Sequence, residues 1–220
     1  MIKLIWHTFL NTLFPPKCPI CRAYVGEQGE WCMACLHHVL SIHTIGIKQH
    51  QLKYLDGCQV FCQYRQGIKK IIQQIKFHQA LNYLPHIEWL LNKEGDLAYF
   101  KEIEIVVPVP LAEARLKKRG FNQSEKIFYH WAKEKGWSWQ NSLIRKKDTI
   151  PQYDLSPSER QKNIKNTFAL ALDQEVKHKT ILLVDDIFTT GATMDECAKV
   201  LKAAGAKKVV GLALATDAAY

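Results

Sequence analysis

The 220-residue chain lacks several patterns that would assign a function at once. It has neither the P-loop pattern G-x-x-x-x-G-K-[ST] nor the dinucleotide pattern G-x-G-x-x-G, which argues against P-loop nucleotide hydrolases and dinucleotide-dependent enzymes. No run reaches the ~18 consecutive apolar residues of a membrane-spanning helix. The opening stretch MIKLIWHTFLNTLF contains polar residues and no small-residue cleavage site. We therefore predict a short amphipathic N-terminal helix and no integral membrane association.

Acidic residues are also scarce relative to basic ones. The chain has 21 Asp and Glu against 30 Lys and Arg, a formal net charge of +9, and 47% hydrophobic residues. The hydrophobic content is that of a globular protein, so extensive disorder and collagen-like or coiled-coil structures are excluded. The positive charge favours phosphate-bearing partners, whether a small molecule, a nucleic acid or a membrane surface. Charge alone does not choose among them.

Four of the seven cysteines form two Cys-x-x-Cys pairs near the N terminus: Cys18, Cys21, Cys32 and Cys35. Two such pairs supply the four thiolates of a closed, tetrahedral structural Zn²⁺ site, which has no open position for a substrate. The surrounding residues 15–38 are rich in turn formers and too poor in apolar residues to form a core. We predict a zinc-stabilised module in the reducing cytoplasm, and assign Cys58, Cys62 and Cys197 to packing.

The rest of the chain alternates strand-like and helix-like segments. Residues 60–92 begin as a strand and continue with apolar residues at helical spacing, and IEIVVPVPL predicts a buried strand followed by a basic loop, RLKKRG. A helix is predicted from Ser124 to about Lys135, and residues 146–166 are polar enough for a flexible hood. TILLVDD, the loop IFTTGAT, a helix from Met194 to Gly205 and the strand VVGLALA then form a β-α-β unit.

The clearest candidate site lies in this last unit. Asp185 and Asp186 end a buried strand directly before a small, hydroxyl-rich loop and a helix N terminus. Loop amides and threonine hydroxyls suit a phosphate. Carboxylates repel phosphate but accept hydrogen bonds from sugar hydroxyls, with a divalent cation nearby to offset charge. A simple helix cap needs one acid rather than two, so the pattern favours a sugar-phosphate site.

These residues carry a resemblance to a known family. ILLVDDIFTTGAT resembles the phosphoribosyl pyrophosphate (PRPP) signature of type I phosphoribosyltransferases, although Phe188 is bulkier than the aliphatic residue usual there. VVPVPLAEARLKKRGFNQSE and the run from Thr149 to Asn163 resemble the ComF family, competence-associated homologues that begin with a four-cysteine zinc ribbon. From about residue 105 onward the chain is also similar to the transferase half of amidophosphoribosyltransferases.

The ComF resemblance implies the architecture of the whole chain. The implied fold is α/β: a type I phosphoribosyltransferase fold, with a Rossmann-like parallel sheet and a hood, preceded by a small four-cysteine zinc ribbon. The implied domains are residues 1–45, holding the N-terminal helix and the ribbon, and residues 46–220, holding the phosphoribosyltransferase-like part. The zinc module and residues 40–100 are expected to supply the specificity for an acceptor.

The resemblance also implies roles for individual residues. Asp185 and Asp186 would hold the ribose hydroxyls of PRPP and act in catalysis together with Arg160 of the hood. The 5′-phosphate would be cradled by Thr189, Thr190, Gly191, Ala192 and Thr193. The diphosphate, with Mg²⁺, would be neutralised by Arg115, Lys117, Lys118 and Arg119, unless these form only a solvated basic face. Gln152 and Asn163 would order the hood.

Two functions remain open at this point. One is transfer of a phosphoribosyl group from PRPP to an unknown acceptor, in a protein linked to DNA uptake. The other is a non-catalytic accessory protein that senses PRPP or binds single-stranded DNA, because basic loops with Tyr64, Phe77 and Phe121 provide charge and stacking surfaces. These aromatic residues lie among apolar ones, so core packing explains them as well.

Overall fold

A computed structural model describes residues 13–94, 99–146, 164–172 and 174–218 of the chain. The helices, in chain order, are α1 Met33–Val39, α2 Gln66–His78, α3 Leu84–Glu94, α4 Glu113–Arg119, α5 Gln123–Glu134 and α6 Ala192–Ala203. The strands are β1 Leu40–Thr44, β2 Gly57–Gln63, β3 Ile105–Pro108, β4 Ser138–Trp139, β5 Leu143–Arg145, β6 Phe168–Leu170, β7 Thr180–Phe188 and β8 Lys208–Thr216.

Within the described residues, the larger of two sheets has six strands in the order β1-β2-β8-β7-β3-β4. All neighbours in it are parallel except β1, which pairs antiparallel with β2 at one edge. A separate antiparallel pair joins β5 to β6. Because β7 lies between β8 and β3, its carboxyl end is at the centre of the sheet edge where ligands bind in such folds.

Both faces of the sheet are covered. Leu182 and Val184 of β7 belong to the core cluster that contains α2, α3 and α5, whereas Ile181 and Leu183 belong to the cluster that contains α6. Successive side chains of a strand point to opposite faces, so a strand buried on both sides is a continuous apolar run. This explains why TILLV carries no polar residue after its first position.

Helix α2 shows the expected helical period. Its buried side chains are Ile68, Ile71, Ile72 and Ile75, which recur every three or four residues and face the sheet. The helix ends at His78, and its C-cap residue Gln79 has a left-handed φ of 52°. It begins just beyond the carboxyl end of β2 and ends beside β7, so its last turn reaches the centre of the sheet edge.

The cysteine module packs against α2 and α3. The Trp31 indole, 1% exposed, donates a hydrogen bond to the His86 carbonyl at 2.8 Å, and the Trp89 indole donates to Glu27 Oε1 at 2.9 Å. Ile20 fills the space beside Gly67, where an added Cβ would lie 2.0 Å from its Cδ1. Helix α1 continues directly into β1, so the module is joined to the sheet by the chain as well as by packing.

The fold confirms most of the predicted elements and corrects others. The basic stretch RLKKRG is not a loop but part of α4, because Glu113–Arg119 are good helix formers, Glu113 pairs with Lys117 at 2.7 Å, and Gly120 supplies the left-handed C-cap. Strand β7 runs on through Phe188, and α6 begins at Ala192 rather than Met194. The predicted helix at Ser124 begins one residue earlier.

Several predictions fall outside the described residues. The predicted N-terminal helix falls almost entirely on residues 1–12, and the predicted hood falls mostly on residues 147–163. The division at residue 45 stays a prediction, although β1 of the first part pairs with β2 of the second.

Gly29 tests how tightly the module is held. Its φ is +89° and an added Cβ would lie 2.7 Å from the Pro85 carbonyl oxygen, a backbone atom that cannot move cheaply. We expect Gly29→Ala to lower the free energy of unfolding by about 2 kcal/mol or more. Gly136→Ala is the matched control, because its φ is +77° but nothing lies within 4 Å; it should cost only about 1 kcal/mol. Urea unfolding of the zinc-loaded proteins measures both, and equal losses would contradict the close contact.

Candidate functional site

The four predicted cysteines converge in one cluster. Sulfur atoms of Cys18, Cys21, Cys32 and Cys35 all lie within 4.8 Å of one another, and those of Cys21 and Cys32 are 3.5 Å apart. A tetrahedral Zn²⁺ with Zn–S bonds of about 2.3 Å places its sulfurs roughly 3.8 Å apart. The donor set and its spacing therefore fit a structural zinc ion.

Local backbone structure shapes both halves of this cluster. The first pair lies in a tight turn in which the Arg22 amide donates to the Cys18 carbonyl at 3.1 Å and Arg22 has a φ of 65°. The second pair begins α1, with Cys32 as its N-cap. Burial and the neighbouring thiols raise the pKa of Cys35 to about 12. A cation bound among the four sulfurs would favour the thiolate form of Cys35.

The acid pair ends β7 at the centre of the sheet edge. Asp186, only 5% exposed, accepts from Lys76 Nζ at 2.6 Å and from Gln123 Nε2 at 3.2 Å, both through Oδ2. Asp185 accepts through Oδ1 from the Ser124 hydroxyl at 2.9 Å and from the Asp186 amide at 2.8 Å. Three elements, α2, α5 and β7, thus meet around two carboxylates.

A short loop connects the acid pair to α6. Gly191 has a φ of 78°, and an added Cβ would lie 2.7 Å from the buried Phe188 ring and 2.9 Å from Leu52. The turn therefore requires glycine on both conformational and steric grounds. Leu52 belongs to a segment that is fixed by Asp195, whose Oδ1 accepts from three successive amides at 2.8 to 3.0 Å: Lys53, Tyr54 and Leu55.

A cavity of about 570 Å³ opens beside the acid pair and the loop. The described residues that line it include five basic side chains, Lys76, Arg115, Lys118, Arg119 and Arg145, against the two carboxylates. The excess of positive charge favours an anion. Burial lowers the pKa of Arg119, with Arg115 adding to the effect and Asp186 opposing it, although a guanidinium remains charged.

Comparisons with known proteins identify two matching families. The family described as "Phosphoribosyl transferase domain" matches residues 143–219, and the family described as "Double zinc ribbon domain" matches residues 9–44. Competence protein F of Haemophilus influenzae is 26% identical over 222 residues, which cover 91% of this chain and 96% of that protein. Competence protein ComFC of Streptococcus pneumoniae is 29% identical over 84% of this chain and 79% of its own length.

The chain belongs to the ComF family. It combines a phosphoribosyltransferase-type α/β fold with an N-terminal zinc ribbon, which confirms the predicted fold class. DNA utilization protein YhgH of Salmonella typhi is 39% identical over 151 residues, 66% of each chain. Among solved structures, adenine phosphoribosyltransferase from Leishmania tarentolae covers 80% of this chain and 95% of its own at 12% identity, with a TM-score of 0.41.

The structure brings most of the predicted site residues of this ComF-family chain to one cavity. Its wall includes Asp185, Asp186, Thr189, Gly191, Thr193, Arg115, Lys118 and Arg119. Thr190 and Ala192 lie in the same turn, where the Thr190 hydroxyl accepts from the Ala192 amide at 3.4 Å. Lys117 is instead an exposed partner of Glu113 on α4. Arg160, Gln152 and Asn163 lie outside the described residues.

Four residues of the site were not predicted from the sequence. Lys76, Gln123 and Arg145 line the cavity, and Ser124 holds Asp185. Gln123 and Ser124 follow Asn122, whose side-chain oxygen caps α5 by accepting from the Ser124 amide at 3.1 Å. The Asn122 cap predicts where α5 begins, but it does not predict that this end of α5 lies close to β7. Nothing in the sequence marked Lys76 as a site residue, because its contact with Asp186 depends on where α2 ends in the folded structure.

The three aromatic residues considered for DNA binding have different environments. Tyr64 and Phe121 are partly buried and pack against the core. Phe77 is 69% exposed and lines the cavity. None of the helices in the described part of the chain has the length and hydropathy of a membrane span.

Ionisation of Asp185 should make the free energy of unfolding depend on pH. Burial and the neighbouring Asp186 raise its pKa from the ordinary 3.8 to about 7, so the folded protein holds this proton more tightly than the unfolded chain. The stabilisation is complete below about pH 4 and is lost as the pH rises through about 7. Asp185→Asn, which cannot ionise, should therefore be at least about 1 kcal/mol more stable than the wild type near pH 8.

Urea unfolding of both proteins between about pH 5 and 8 measures this difference. Subtracting the curves isolates the change at position 185, because all other titratable side chains are present in both proteins. Glu102→Gln, at an exposed acid that pairs with Lys208 at 3.7 Å, is the control. A constant difference between wild type and Asp185→Asn across this range would contradict the raised pKa.

Proposed function

We propose that this ComF-family protein binds PRPP with Mg²⁺ at the carboxyl end of β7 and transfers its phosphoribosyl group to an acceptor. The observation that carries the proposal is the acid pair beside a glycine-dependent loop in a cavity with excess positive charge. Each part of that arrangement matches one part of PRPP: the phosphate, the ribose and the diphosphate.

The 5′-phosphate would lie over the Thr189–Gly191 turn. Helix α6 begins at Ala192, so its first amides and the positive end of its dipole face this turn. Thr189 and Thr193 line the cavity and supply hydroxyl donors. The amides and hydroxyls of the turn support binding of the phosphate dianion even though no lysine lies in the turn.

The ribose hydroxyls would donate to the acid pair and to Gln123. Gln123 is 5% exposed, and its Oε1 has no hydrogen-bond partner while its Nε2 donates to Asp186. The orientation of the amide is set by chemistry, because a carboxylate only accepts. A buried oxygen without a donor is costly, and a hydroxyl held at Asp186 would satisfy it.

The diphosphate would be neutralised by Arg115, Lys118 and Arg119. Arg119 Nη1 is buried without a hydrogen-bond partner, which makes it available to a diphosphate oxygen. Mg²⁺ in such sites takes one or two carboxylates together with substrate phosphates, and Asp185 and Asp186 offer these oxygens. The ion would offset charge on the departing diphosphate.

In the transfer, the bond between ribose C1 and the diphosphate oxygen breaks and its electron pair leaves with the diphosphate. The acceptor's lone pair forms the new bond to C1, and the acceptor's proton passes to the departing diphosphate or to water. Fixed cations stabilise the leaving charge without reorganisation. The names of the relatives, competence and DNA utilization proteins, support a role in DNA uptake. We place this role in the cytoplasm, because its reducing environment keeps the cysteine thiols available as zinc ligands.

Calorimetric titration of zinc-loaded protein with PRPP and Mg²⁺ tests the proposal. We expect binding that weakens about 100-fold or more in Asp185→Asn, Asp186→Asn, since both ribose hydroxyls lose charged acceptors. Glu102→Gln should bind as the wild type. The proposal fails if the wild type does not bind at millimolar PRPP or if the double variant binds equally. Binding without diphosphate release for any acceptor would favour the non-catalytic sensor.

Gln123→Met separates the ribose contact from the phosphate contact. Methionine has a similar length but no acceptor oxygen, so we expect affinity for ribose 5-phosphate to fall about tenfold. Affinity for inorganic phosphate should not change, because the turn at Gly191 is intact. Calorimetry measures both ligands. A parallel loss for both would show that Gln123 acts only by supporting the local structure.

A further inference from the structure

Three metal-binding side chains converge between helices α3 and α5. They are Glu88 of α3 and His130 and Glu134 of α5, and one ligand atom from each lies within 4.8 Å of the other two. None of the three lines the cavity beside the acid pair. Among the described residues, the ribbon cysteines are the only other group of three or more metal-binding donors this close together.

The packing of two helices brings these donors together. His130 and Glu134 are one turn apart on α5, so their side chains share one face of that helix. Helix α3 buries Ile87 in the same core cluster as Trp131 of α5, and the next residue, Glu88, keeps a side chain that is 29% exposed. Metal sites in helical proteins are built in this way, from side chains on facing helices.

The distances between the donors suit one small cation. His130 Nδ1 lies 2.5 Å from Glu88 Oε1 and 3.7 Å from Glu134 Oε1. Ligands bound at about 2.1 Å to a tetrahedral ion are roughly 3.4 Å apart, a value between these two distances. The other oxygen of Glu134 accepts from Asn92 Nδ2 at 3.1 Å. Contacts of this kind orient the ligands of metal sites.

The charge of the cluster also favours a divalent cation. Exposed acids elsewhere in this basic chain pair with lysine, as Glu113 does with Lys117. In the described part of the chain, Glu88 and Glu134 form ion pairs with His130 alone. One proton on the imidazole offsets only one of the two carboxylates, whereas a divalent cation beside a neutral imidazole offsets both.

We propose that Glu88, His130 and Glu134 form a second metal site, for a divalent transition-metal ion such as Zn²⁺. An imidazole ligand suits Zn²⁺, Ni²⁺ or Cu²⁺, whereas Mg²⁺ and Ca²⁺ prefer oxygen ligands. Three protein ligands leave a fourth position for water. The ion would join α3, on which the ribbon packs, to α5, whose first turn holds the acid pair through Gln123 and Ser124. This site does not depend on the proposed PRPP site.

Zinc titration of the full chain tests the proposal. The protein is first freed of weakly bound metal until mass spectrometry detects only the ribbon zinc. Zn²⁺ is then titrated by calorimetry in millimolar Mg²⁺, which fills sites made of oxygen ligands alone. The variants are His130→Ala and Glu134→Gln. His178→Asn is the matched control, because His178 is an exposed histidine outside the cluster and asparagine tolerates its left-handed φ of 64°.

We expect the wild type and His178→Asn to bind one further zinc ion with a micromolar Kd. His130→Ala and Glu134→Gln should each weaken this binding about 100-fold or more, since loss of a contact that merely orients a ligand already costs about 10- to 100-fold. Retention of the ribbon zinc verifies that each variant is folded, and either folded variant alone is sufficient for the test.

Two results would overturn the second metal site. If the wild type binds no further zinc at about 100 µM free Zn²⁺, the cluster is only an ion pair of His130 with two carboxylates. If the further zinc binds unchanged in a folded His130→Ala or Glu134→Gln protein, the ion lies elsewhere on the surface. Neither result bears on PRPP binding, which the titration of Asp185→Asn, Asp186→Asn tests separately.

Discussion

The structure depends on contacts that offset the cost of burying two adjacent carboxylates at the end of β7. Taking Asp185 and Asp186 out of water is costly unless hydrogen bonds and an opposite charge offset the loss. Lys76 of α2 supplies the charge, and Gln123 and Ser124 of α5 supply the hydrogen bonds. Removing either helix would leave a buried carboxylate uncompensated. Helix positions on this face of the sheet are therefore tied to the candidate site.

Helix α2 also connects the zinc ribbon to that site. Its first turn contains Gly67, against which Ile20 of the first cysteine turn packs, and its last turn contains Lys76. Thirteen helical residues span about 20 Å. One rigid element thus contacts the metal module at one end and the acid pair at the other.

The opposite face of the sheet holds the Thr189–Gly191 turn in place. Asp195 of α6 accepts hydrogen bonds from the backbone amides of residues 53–55. Leu52, next to this segment, packs beside Gly191 and Phe188. The bulky Phe188 is accommodated because Gly191 has no side chain. The candidate site is built from both faces of the sheet.

The sequence by itself determined the features that are local or encoded by short patterns. These are the two Cys-x-x-Cys pairs, the apolar run of β7, the period of α2 and the Asp-Asp-to-glycine turn, because each follows from spacing along the chain. The prediction of a basic loop at RLKKRG was wrong. Helix propensity and the Gly120 C-cap make Glu113–Arg119 a helix. Only the tertiary structure decided that Lys76 and Gln123 meet Asp186. The physical reason is that strand order and helix ends, rather than any local pattern, bring residues 47 to 110 positions apart to one sheet edge.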